Sequence, residues 1–152
     1  MARSADTDLH TLVEVRLRRV DQRYTAGRRA VVAALVEIDE PASIEDLARL
    51  CPGLARSSTY RHLADLQTAG VVRRIAAEDG FGRFELSEDI TEHHHHLLCT
   101  GCGRVLDITP SPSFERNLTN HLEELARAQG FSPRGHRVDV LGICGSCAGS
   151  DR

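Results

Sequence analysis

The sequence lacks tryptophan and lysine altogether, and aromatic residues make up only 4% of its 152 positions. So few aromatic side chains argue against a large aromatic-lined pocket for a small-molecule substrate. No apolar run approaches the roughly 20 residues that a membrane-spanning helix needs. The polar segment 1–8 also lacks the apolar core of a secretory signal. We therefore expect a cytoplasmic protein with no membrane partner and no small-molecule substrate.

Acidic residues outnumber basic ones, 22 to 19, and the net charge of −3 by itself argues against nucleic-acid binding. All nineteen basic residues are arginine, however, and thirteen of them precede residue 88. Arginine forms bidentate hydrogen bonds with phosphates and guanine edges. The distribution of charge therefore keeps DNA as a candidate partner of the N-terminal half, with a solvated helix face as the alternative.

The chain does contain two Cys-x-x-Cys pairs, Cys99 with Cys102 and Cys144 with Cys147. Each pair can direct two thiolates at one zinc ion about 2.3 Å away, and two pairs complete a tetrahedral site. Forty-one residues separate the pairs, so a small domain must fold between them. The spacing predicts structural zinc, with a disulfide or redox role for either pair as the alternative. We expect the fifth cysteine, Cys51, to be a buried and inert thiol.

Four consecutive histidines at 93–96 lead directly into the first cysteine pair. Alternate side chains of a strand face opposite sides, so His94 and His96 would point one way and His93 and His95 the other. The run could therefore supply two imidazoles to each of two metal sites. A solvated turn is one alternative, and an expression tag is disfavoured by the internal position of the run.

Residues 1–87 show the periodicity of four helices followed by a two-stranded hairpin. We predict a first helix at about 8–20, a second from an N-cap at Thr25 to near 39–41, a third from an N-cap at Ser43 to a stop at 51–53, and a fourth from an N-cap at Ser57 to Gly70. Strands are predicted at 71–75 and 81–86. Helices followed by such a hairpin, the wing, are typical of a winged helix-turn-helix domain, whose last helix enters the major groove of DNA. A small helical bundle with no role in DNA binding is the alternative.

The first turns of the fourth predicted helix carry hydroxyl, aromatic and basic side chains. Hydroxyls and backbone amides at a helix N-terminus bind phosphate. A tyrosine can pack on a thymine methyl group, and an arginine can bind guanine or phosphate. The candidate DNA-binding residues are Ser57, Ser58, Thr59, Tyr60 and Arg61.

The remaining residues predict an acidic hinge at 88–92 and a small α/β domain at 93–152. Strands are expected at 93–99, 104–108 and 137–143, and a helix at 113–129. So small a core usually needs a metal ion, a partner subunit or both. The predicted fold class is thus α+β: an N-terminal winged helix-turn-helix domain over 1–87, and a C-terminal metal-binding dimerisation domain with a four-cysteine zinc site.

Two further function classes remain to be weighed. A zinc hydrolase or deaminase would need a His-Glu-x-x-His motif, or His-x-Glu combined with Cys-x-x-Cys. The first motif does not occur, and the second lacks the proline that precedes its Cys-x-x-Cys pair, so we expect no enzyme. The other alternative is a protein-interaction module held together by zinc that does not bind DNA.

Taken together, these motifs resemble the ferric uptake regulator family over residues 15–147. Residues 58–63 are similar to the family's recognition helix, and residues 84–86 to the end of its wing. Residues 93–103 are similar to its segment of histidines and cysteines, and residues 142–147 to its closing cysteine pair.

The resemblance implies a homodimeric, metal-dependent transcriptional repressor that controls genes of metal uptake or homeostasis. A two-fold dimer would bind an inverted-repeat operator in double-stranded DNA. The implied ligands are Cys99, Cys102, Cys144 and Cys147 for structural zinc, Glu85, His94 and His96 for a regulatory metal, and His93, His95, His136 and an acidic helix residue for a second metal. We expect the acidic residue to be Glu115, with His121 and Glu123 as alternatives.

Departures from the family pattern leave the regulatory metal and its fourth ligand open. Iron-type members supply a histidine where this chain has Glu40, and zinc-type members place a cysteine near Glu85 and an aspartate near Arg73. Imidazoles with carboxylates accept Fe²⁺, Zn²⁺ or Mn²⁺. Since the predicted site has no thiolate, we favour an iron-type regulator, with a zinc-uptake regulator or a peroxide sensor of the same family as alternatives.

Overall fold

Helices and strands follow one another in the predicted order. The structure, a computed structural model, describes residues 2–149, with side chains from residue 8 onward. The elements are α1 (Ala2–Arg18), α2 (Ala26–Ile38), α3 (Ile44–Leu50), α4 (Arg56–Thr68), β1 (Val72–Ala76), β2 (Gly82–Leu86), β3 (His95–Cys99), β4 (Val105–Ile108), α5 (Pro112–Ala128), β5 (Asp139–Gly142) and the short α6 (Gly145–Ala148). This mixture of helices and sheets confirms the α+β class. Within residues 2–149, no helix is long and apolar enough to cross a membrane.

The helix ends follow the predicted caps at two of three places. Thr25 accepts a hydrogen bond from the backbone of Arg28, and Ser43 and Asp46 form a reciprocal capping box. The prediction that Ser57 caps α4 is wrong, because Ala55 occupies the N-cap without a side-chain hydrogen bond. The carbonyl of Ala55 accepts from the backbone amides of Ser58 and Thr59, three and four residues later, so Ser57 lies inside the first helical turn.

The first helix differs from its prediction at both ends, since it begins at Ala2 and ends at Arg18. Apolar spacing locates only its buried part, which includes the fully buried Val13 and Leu17. The chain then turns at Asp21, which has a positive φ of 56°, and Gln22 donates its amide to the carbonyl of Leu17 at 2.9 Å.

One apolar core lies among the four helices and the wing, which consists of β1 and β2 in an antiparallel pair. Its buried side chains come from every one of these elements and leave one side of α4 facing solvent. They include Val13, Leu17, Val31, Val32, Leu35, Ile44, Leu47, Leu63, Leu66, Val72, Phe84 and Leu86. This core supports α4 as the exposed helix next to the wing.

The C-terminal sheet has the strand order β4-β3-β5, with β3 antiparallel to β4 and parallel to β5. Strand β3 begins at His95, two residues later than predicted, and β5 covers only 139–142 of the predicted 137–143. The sheet has few strands and α5 contributes no buried residue. The predicted domain boundaries at 87 and 93 remain a prediction.

A second apolar cluster joins the wing to the C-terminal sheet. Ile75 and Ala77 of the wing pack with Leu98 and Val105 of the sheet, and Ile75 is fully buried. At the tip of the wing, the Asp79 carboxylate lies so close to Gly103 that a Cβ there would be 2.3 Å from Asp79 Cγ. One face of the wing is therefore occupied by the sheet, a contact that periodicity did not predict.

Candidate metal centres and candidate DNA-binding helix

The Sγ atoms of Cys99, Cys102, Cys144 and Cys147 all lie within 4.8 Å of one another. Cys99 ends β3, Cys144 is the N-cap of α6, and Cys147 lies within α6. The turn between the first two cysteines and β4 passes through Gly103, whose φ of +69° favours glycine. Antiparallel and parallel pairing on the two sides of β3 thus brings together pairs that are distant in sequence. All four are free thiols.

The local hydrogen bonds prepare this cysteine cluster for a cation. The backbone amide of Cys144 donates to Cys99 Sγ at 3.2 Å, and such backbone donors lower the pKa of Cys99 to about 6. Hydrogen bonds with the other three sulfurs raise the pKa of Cys147 to about 12. Four converging sulfurs form a soft donor set of the kind that binds zinc as thiolates in a tetrahedral site.

A second group, the hinge cluster, consists of Glu85, His94, His96 and Asp107, whose ligand atoms also lie within 4.8 Å of one another. Glu85 comes from the wing, and the other three come from β3, β4 and the residue before β3. His94 Nε2 lies 3.3 Å from Glu85 Oε2 and 3.6 Å from Asp107 Oδ2. His96 Nε2 lies 3.4 Å from Glu85 Oε1 and 3.7 Å from Asp107 Oδ1.

Asp107 is the member of this cluster that the sequence did not reveal. It stands opposite His96 in the antiparallel register of β3 and β4. Neighbouring positions on adjacent strands have side chains on the same face, so the register places this carboxylate beside both imidazoles. The only sequence signal was an acidic residue in the strand after the first cysteine pair.

Acceptors at the Nδ1 atoms orient both imidazoles of the hinge cluster. His94 Nδ1 lies 2.8 Å from the carbonyl oxygen of Glu92, and His96 Nδ1 lies 3.0 Å from the Asp139 carboxylate. These acceptors require a proton on Nδ1, so in the neutral imidazoles the Nε2 lone pairs point into the cluster. This is the tautomer in which histidine binds a metal through Nε2.

The carboxylates of the hinge cluster differ in their affinity for protons. Burial would raise the pKa of Glu85, but its contacts with His96 and Arg73 outweigh burial and hold that pKa below its usual range. Burial raises the pKa of Asp107. For His96, burial is outweighed by the carboxylates of Glu85 and Asp139, which raise the pKa of the imidazole. Glu85 therefore keeps its negative charge more firmly than Asp107 does.

A cation is already present beside the hinge cluster, because the guanidinium of Arg73 contacts it. Arg73 pairs with the carboxylates of Glu85 and Glu88. Its Nη2 lies 3.2 Å from His94 Nε2 and 3.3 Å from His96 Nε2. In the sequence, the family resemblance singled out this position only because zinc-type members have an aspartate near it. The contact depends on the wing packing against the C-terminal sheet.

The three-histidine cluster, which consists of His93, His95, His136 and Glu115, lies on the opposite face of β3. Glu115 Oε1 is 3.3 Å from His93 Nε2 and 3.0 Å from His136 Nε2, and Glu115 Oε2 is 3.0 Å from His95 Nε2. Burial would raise the pKa of Glu115, but the hydrogen bond and charges of these imidazoles lower it. Within the described chain, the buried Nε2 atoms of His93 and His136 make no hydrogen bond of good geometry. Such unsatisfied, converging nitrogens fit a divalent cation.

Glu115, in the first turn of α5, is the acidic residue that the structure brings to this cluster. The two alternatives lie elsewhere: His121 is exposed, and Glu123 pairs with Arg127. The four consecutive histidines thus divide between two clusters as strand alternation predicted, although His93 and His94 lie just before β3 itself.

The exposed face of α4 is smaller than the predicted set of DNA-binding residues. Ser57 and Arg61 are exposed, Ser58 is half-buried, and Tyr60 keeps 45% of its surface exposed. Thr59 is only 1% exposed, and its hydroxyl lies 3.4 Å from the Ala55 carbonyl. Thr59 therefore does not belong to the exposed face, because residues four and seven positions later, Leu63 and Leu66, continue the same buried stripe.

His62 and Cys51 are both packed against other residues of the helical part of the chain. The imidazole of His62 packs so closely on Gly27 that a Cβ atom at residue 27 would lie 2.4 Å from Nε2 of His62. Burial together with the charge of Arg28 lowers the pKa of this imidazole. Cys51 is 5% exposed, its thiol lies 3.5 Å from the Ala30 carbonyl, and burial raises its pKa. This is the environment expected of an unreactive cysteine.

Comparison with known proteins leads to the family that these sites suggest. The model of the ferric uptake regulator family matches residues 19–141. The ferric uptake regulation protein of Bacillus subtilis is 34% identical over 136 residues, which cover 85% of this chain and 87% of that protein. The peroxide-responsive repressor PerR of Staphylococcus aureus is 24% identical over 136 residues and 86% of each chain.

A solved structure agrees with these relatives. The ferric uptake regulator of Vibrio cholerae superposes with a TM-score of 0.68 at 25% identity, over 84% of this chain and 96% of that one. The chain therefore belongs to the ferric uptake regulator family, whose members are metal-responsive, DNA-binding transcription regulators rather than enzymes and act as dimers.

Proposed function

We propose that the chain is a homodimeric transcriptional repressor of metal uptake or homeostasis genes, which binds an inverted-repeat operator when a divalent metal occupies the hinge cluster. The observation that carries this proposal is the origin of the four candidate ligands. Glu85 belongs to the wing, next to α4, whereas His94, His96 and Asp107 belong to the C-terminal part. The hinge cluster therefore connects the DNA-binding part of the chain to the part that we expect to dimerise.

A divalent ion in the hinge cluster would supply a bond between these two parts. The chain's own residues transmit the position of Glu85 to α4. Strand β2, which carries Glu85, pairs along its length with β1, and β1 follows α4 after a turn at Gly70. A change in the position of the wing therefore turns the exposed residues of α4, Ser57, Ser58, Tyr60 and Arg61, which we propose as the DNA-binding residues.

We propose that the other two clusters have different tasks. The four cysteines would hold structural Zn²⁺, which joins the end of β3 to α6 in a part of the chain with a small core. The three-histidine cluster would hold a further divalent ion between β3 and α5. Neither of them includes a residue of the wing, so neither connects the two parts directly.

The homodimer is proposed from apolar side chains that the single chain leaves exposed. The last strand and α5 have apolar side chains that are about half exposed or more, including Phe114, Leu125, Val140, Leu141 and Ile143. An exposed apolar surface of this kind is typical of a protein interface. Because most such assemblies have two-fold symmetry, a dimer would present two copies of α4 to two half-sites.

Among the regulatory metals we favour iron over zinc, because the hinge cluster combines imidazoles with carboxylates and contains no thiolate. Glu40, at the position of the iron-type histidine, lines a cleft of about 570 Å³ with Glu85, His94 and Asp107. A carboxylate therefore faces the same cleft. Zn²⁺ and Mn²⁺ are alternatives, and the likeness to a peroxide-responsive repressor makes a peroxide sensor a second candidate.

The test is DNA affinity measured against the concentration of Fe²⁺, Mn²⁺ and Zn²⁺ under anaerobic conditions. We expect His96→Ala to keep its structural zinc and its dimer but to lose the gain in DNA affinity on metal addition. A 100-fold gain in the parent protein would correspond to about 2.7 kcal/mol. His121→Ala is the matched control, because His121 is exposed and lies in neither histidine cluster. A full metal response in His96→Ala would refute the role of the hinge cluster.

A further inference from the structure

The guanidinium of Arg73 lies among the candidate ligands of the hinge cluster. Arg73 is the cross-strand partner of Glu85 in the wing, so its side chain extends from the same face of the hairpin toward β3. It contacts the carboxylate of Glu85 and the Nε2 atoms of His94 and His96. Three of the four residues of the hinge cluster are thus in contact with one cationic side chain.

Arg73 uses the same lone pairs that a metal would need. The Nδ1 atoms of His94 and His96 face the Glu92 carbonyl and the Asp139 carboxylate, so only the Nε2 atoms are free to accept from a neighbour. A guanidinium has donors and no acceptor, so a contact of 3.2–3.3 Å with Nε2 engages these lone pairs. A lone pair that accepts from Arg73 cannot bind a metal at the same time.

Electrostatic repulsion also prevents the Arg73 guanidinium and a metal ion from occupying the hinge cluster together. Arginine remains protonated at every physiological pH, so Arg73 cannot lose its charge when a second cation arrives. Like charges a few ångströms apart in a partly buried site repel each other strongly. Metal binding by the Nε2 atoms therefore requires the guanidinium to move away.

We propose that Arg73 is a built-in competitor of the regulatory metal, a cation that holds Glu85 against His94 and His96 until the metal displaces it. The inference rests on the proposed function of the hinge cluster and adds a residue that sets its sensitivity. Arg73 raises the metal concentration at which the cluster fills. It also keeps the wing attached to the C-terminal sheet in the metal-free protein.

The structure provides a second place for the displaced guanidinium. Arg73 also pairs through Nη1 with Glu88, which lies outside the hinge cluster. The side chain of Arg73 is 22% exposed, compared with 7% for Glu85 and 0% for His96. The arginine can therefore swing toward Glu88 and solvent while the ligands stay buried in place.

The size of the effect follows from the fraction of molecules in which the ligands are free. The apparent Kd equals the intrinsic Kd divided by that fraction. An arginine that occupies the ligands about 90–99% of the time raises the apparent Kd about 10- to 100-fold. Removal of the guanidinium should tighten metal binding by the same factor.

The experiment is a Co²⁺ titration, followed by visible absorption, of the zinc-containing dimer and its Arg73→Gln variant. The hinge signal is the part that is lost when His96→Ala is added to each protein. Arg74→Gln is the matched control, because Arg74 is the next residue on the same strand and is exposed, with its side chain over Gly82. We expect Arg73→Gln to bind Co²⁺ at least tenfold more tightly at this site, and Arg74→Gln to bind it as the parent does.

A residue with a merely structural role would not improve metal binding when it is removed. An affinity of Arg73→Gln that is equal to the parent's, or weaker, would overturn the competitor while leaving the hinge site intact. A signal that is insensitive to His96→Ala in every protein would instead refute the hinge site itself, and the competitor with it. Arg73→Met, which keeps the aliphatic length, provides the same comparison if the glutamine variant does not fold.

A second measurement tests the attachment of the wing. In metal-free protein, amide hydrogen exchange of residues 87–92 should be faster in Arg73→Gln than in the parent, because the contact that joins the wing to His94 and His96 is lost. Added Co²⁺ should restore protection in the variant. Equal exchange in the two metal-free proteins would show that Arg73 does not hold the wing.

Discussion

Ile75 connects the wing to the C-terminal sheet without any metal, and its replacement tests how much of that connection is apolar. The side chain is 0% exposed and packs with Ala77, Leu98 and Val105. Ile75→Ala removes three buried carbon atoms, which are worth roughly 2–3 kcal/mol at about 0.8 kcal/mol per methylene. A cavity that does not collapse adds to this loss, so we expect the free energy of unfolding to fall by about 3 kcal/mol.

The Ile75→Ala substitution should change the metal response as well as the stability. With the apolar contact weakened, the hinge cluster becomes a larger part of what joins the wing to the sheet. The ratio of DNA affinity with metal to DNA affinity without metal should therefore rise in Ile75→Ala. Urea unfolding of the zinc-containing dimer and operator binding with and without metal measure the two effects.

Ile44→Ala is the control, since Ile44 is also an isoleucine at 4% exposure but belongs to the core among the helices. It should lose a similar free energy of unfolding and keep the parent's ratio of DNA affinities. An Ile75→Ala loss below about 1 kcal/mol would contradict the packing argument. An equal ratio of DNA affinities with and without metal in Ile75→Ala and Ile44→Ala would show that the wing contact has no part in the metal response.

Three further predictions concern zinc, DNA and acid. Cys144→Ser should lose its tightly bound zinc, measured by metal analysis, and with it the dimer, measured by sedimentation; a stable zinc-free dimer would refute a structural role. Arg61→Ala should weaken operator binding by about 1–3 kcal/mol if Arg61 contacts a base, and an equal loss on non-specific DNA would show a phosphate contact instead. Burial would raise the pKa of Asp46, but hydrogen bonds from Ser43 and the charge of Arg49 hold it below its usual value. Its contribution is therefore present above the unfolded-state pKa of about 3.9 and is lost as pH falls through the lower folded pKa. Asp46→Asn should be less stable by about 0.5–1 kcal/mol at pH 7 and approach the parent's stability as the pH falls through the folded pKa of Asp46, whereas a constant difference across the acid range would contradict the assignment.

The sequence alone determined the features that depend on neighbours along the chain. The capping box of Ser43 and Asp46 follows from spacing within one helical turn. The division of four consecutive histidines between two clusters follows from the alternation of side chains in an extended segment. The paired cysteines predicted a common site for the same reason, since each pair brings two sulfurs together within a single turn.

The spacing of apolar residues was less reliable for α4, where both the first residue of the helix and the orientation of its faces had to be predicted. The fourth helix begins at Arg56 and not after Ser57. The polar segment that we predicted to be exposed also includes Thr59, whose side chain lies on the buried face of the helix. A polar residue on a buried stripe cannot be recognised from its type, because a threonine can satisfy its hydroxyl with a carbonyl of the preceding turn.

The tertiary structure alone decided which distant residues meet at the hinge cluster. Asp107 faces His96 because β3 and β4 pair in one register, and a shift by one residue would turn it to the other face. Arg73 reaches the same imidazoles because Ile75 and Ala77 pack the wing against the C-terminal sheet. Register and docking arise from the burial of side chains that are far apart in sequence, and no local pattern encodes them. The histidines could therefore be assigned to their faces from the sequence, but the cation that competes for them could not.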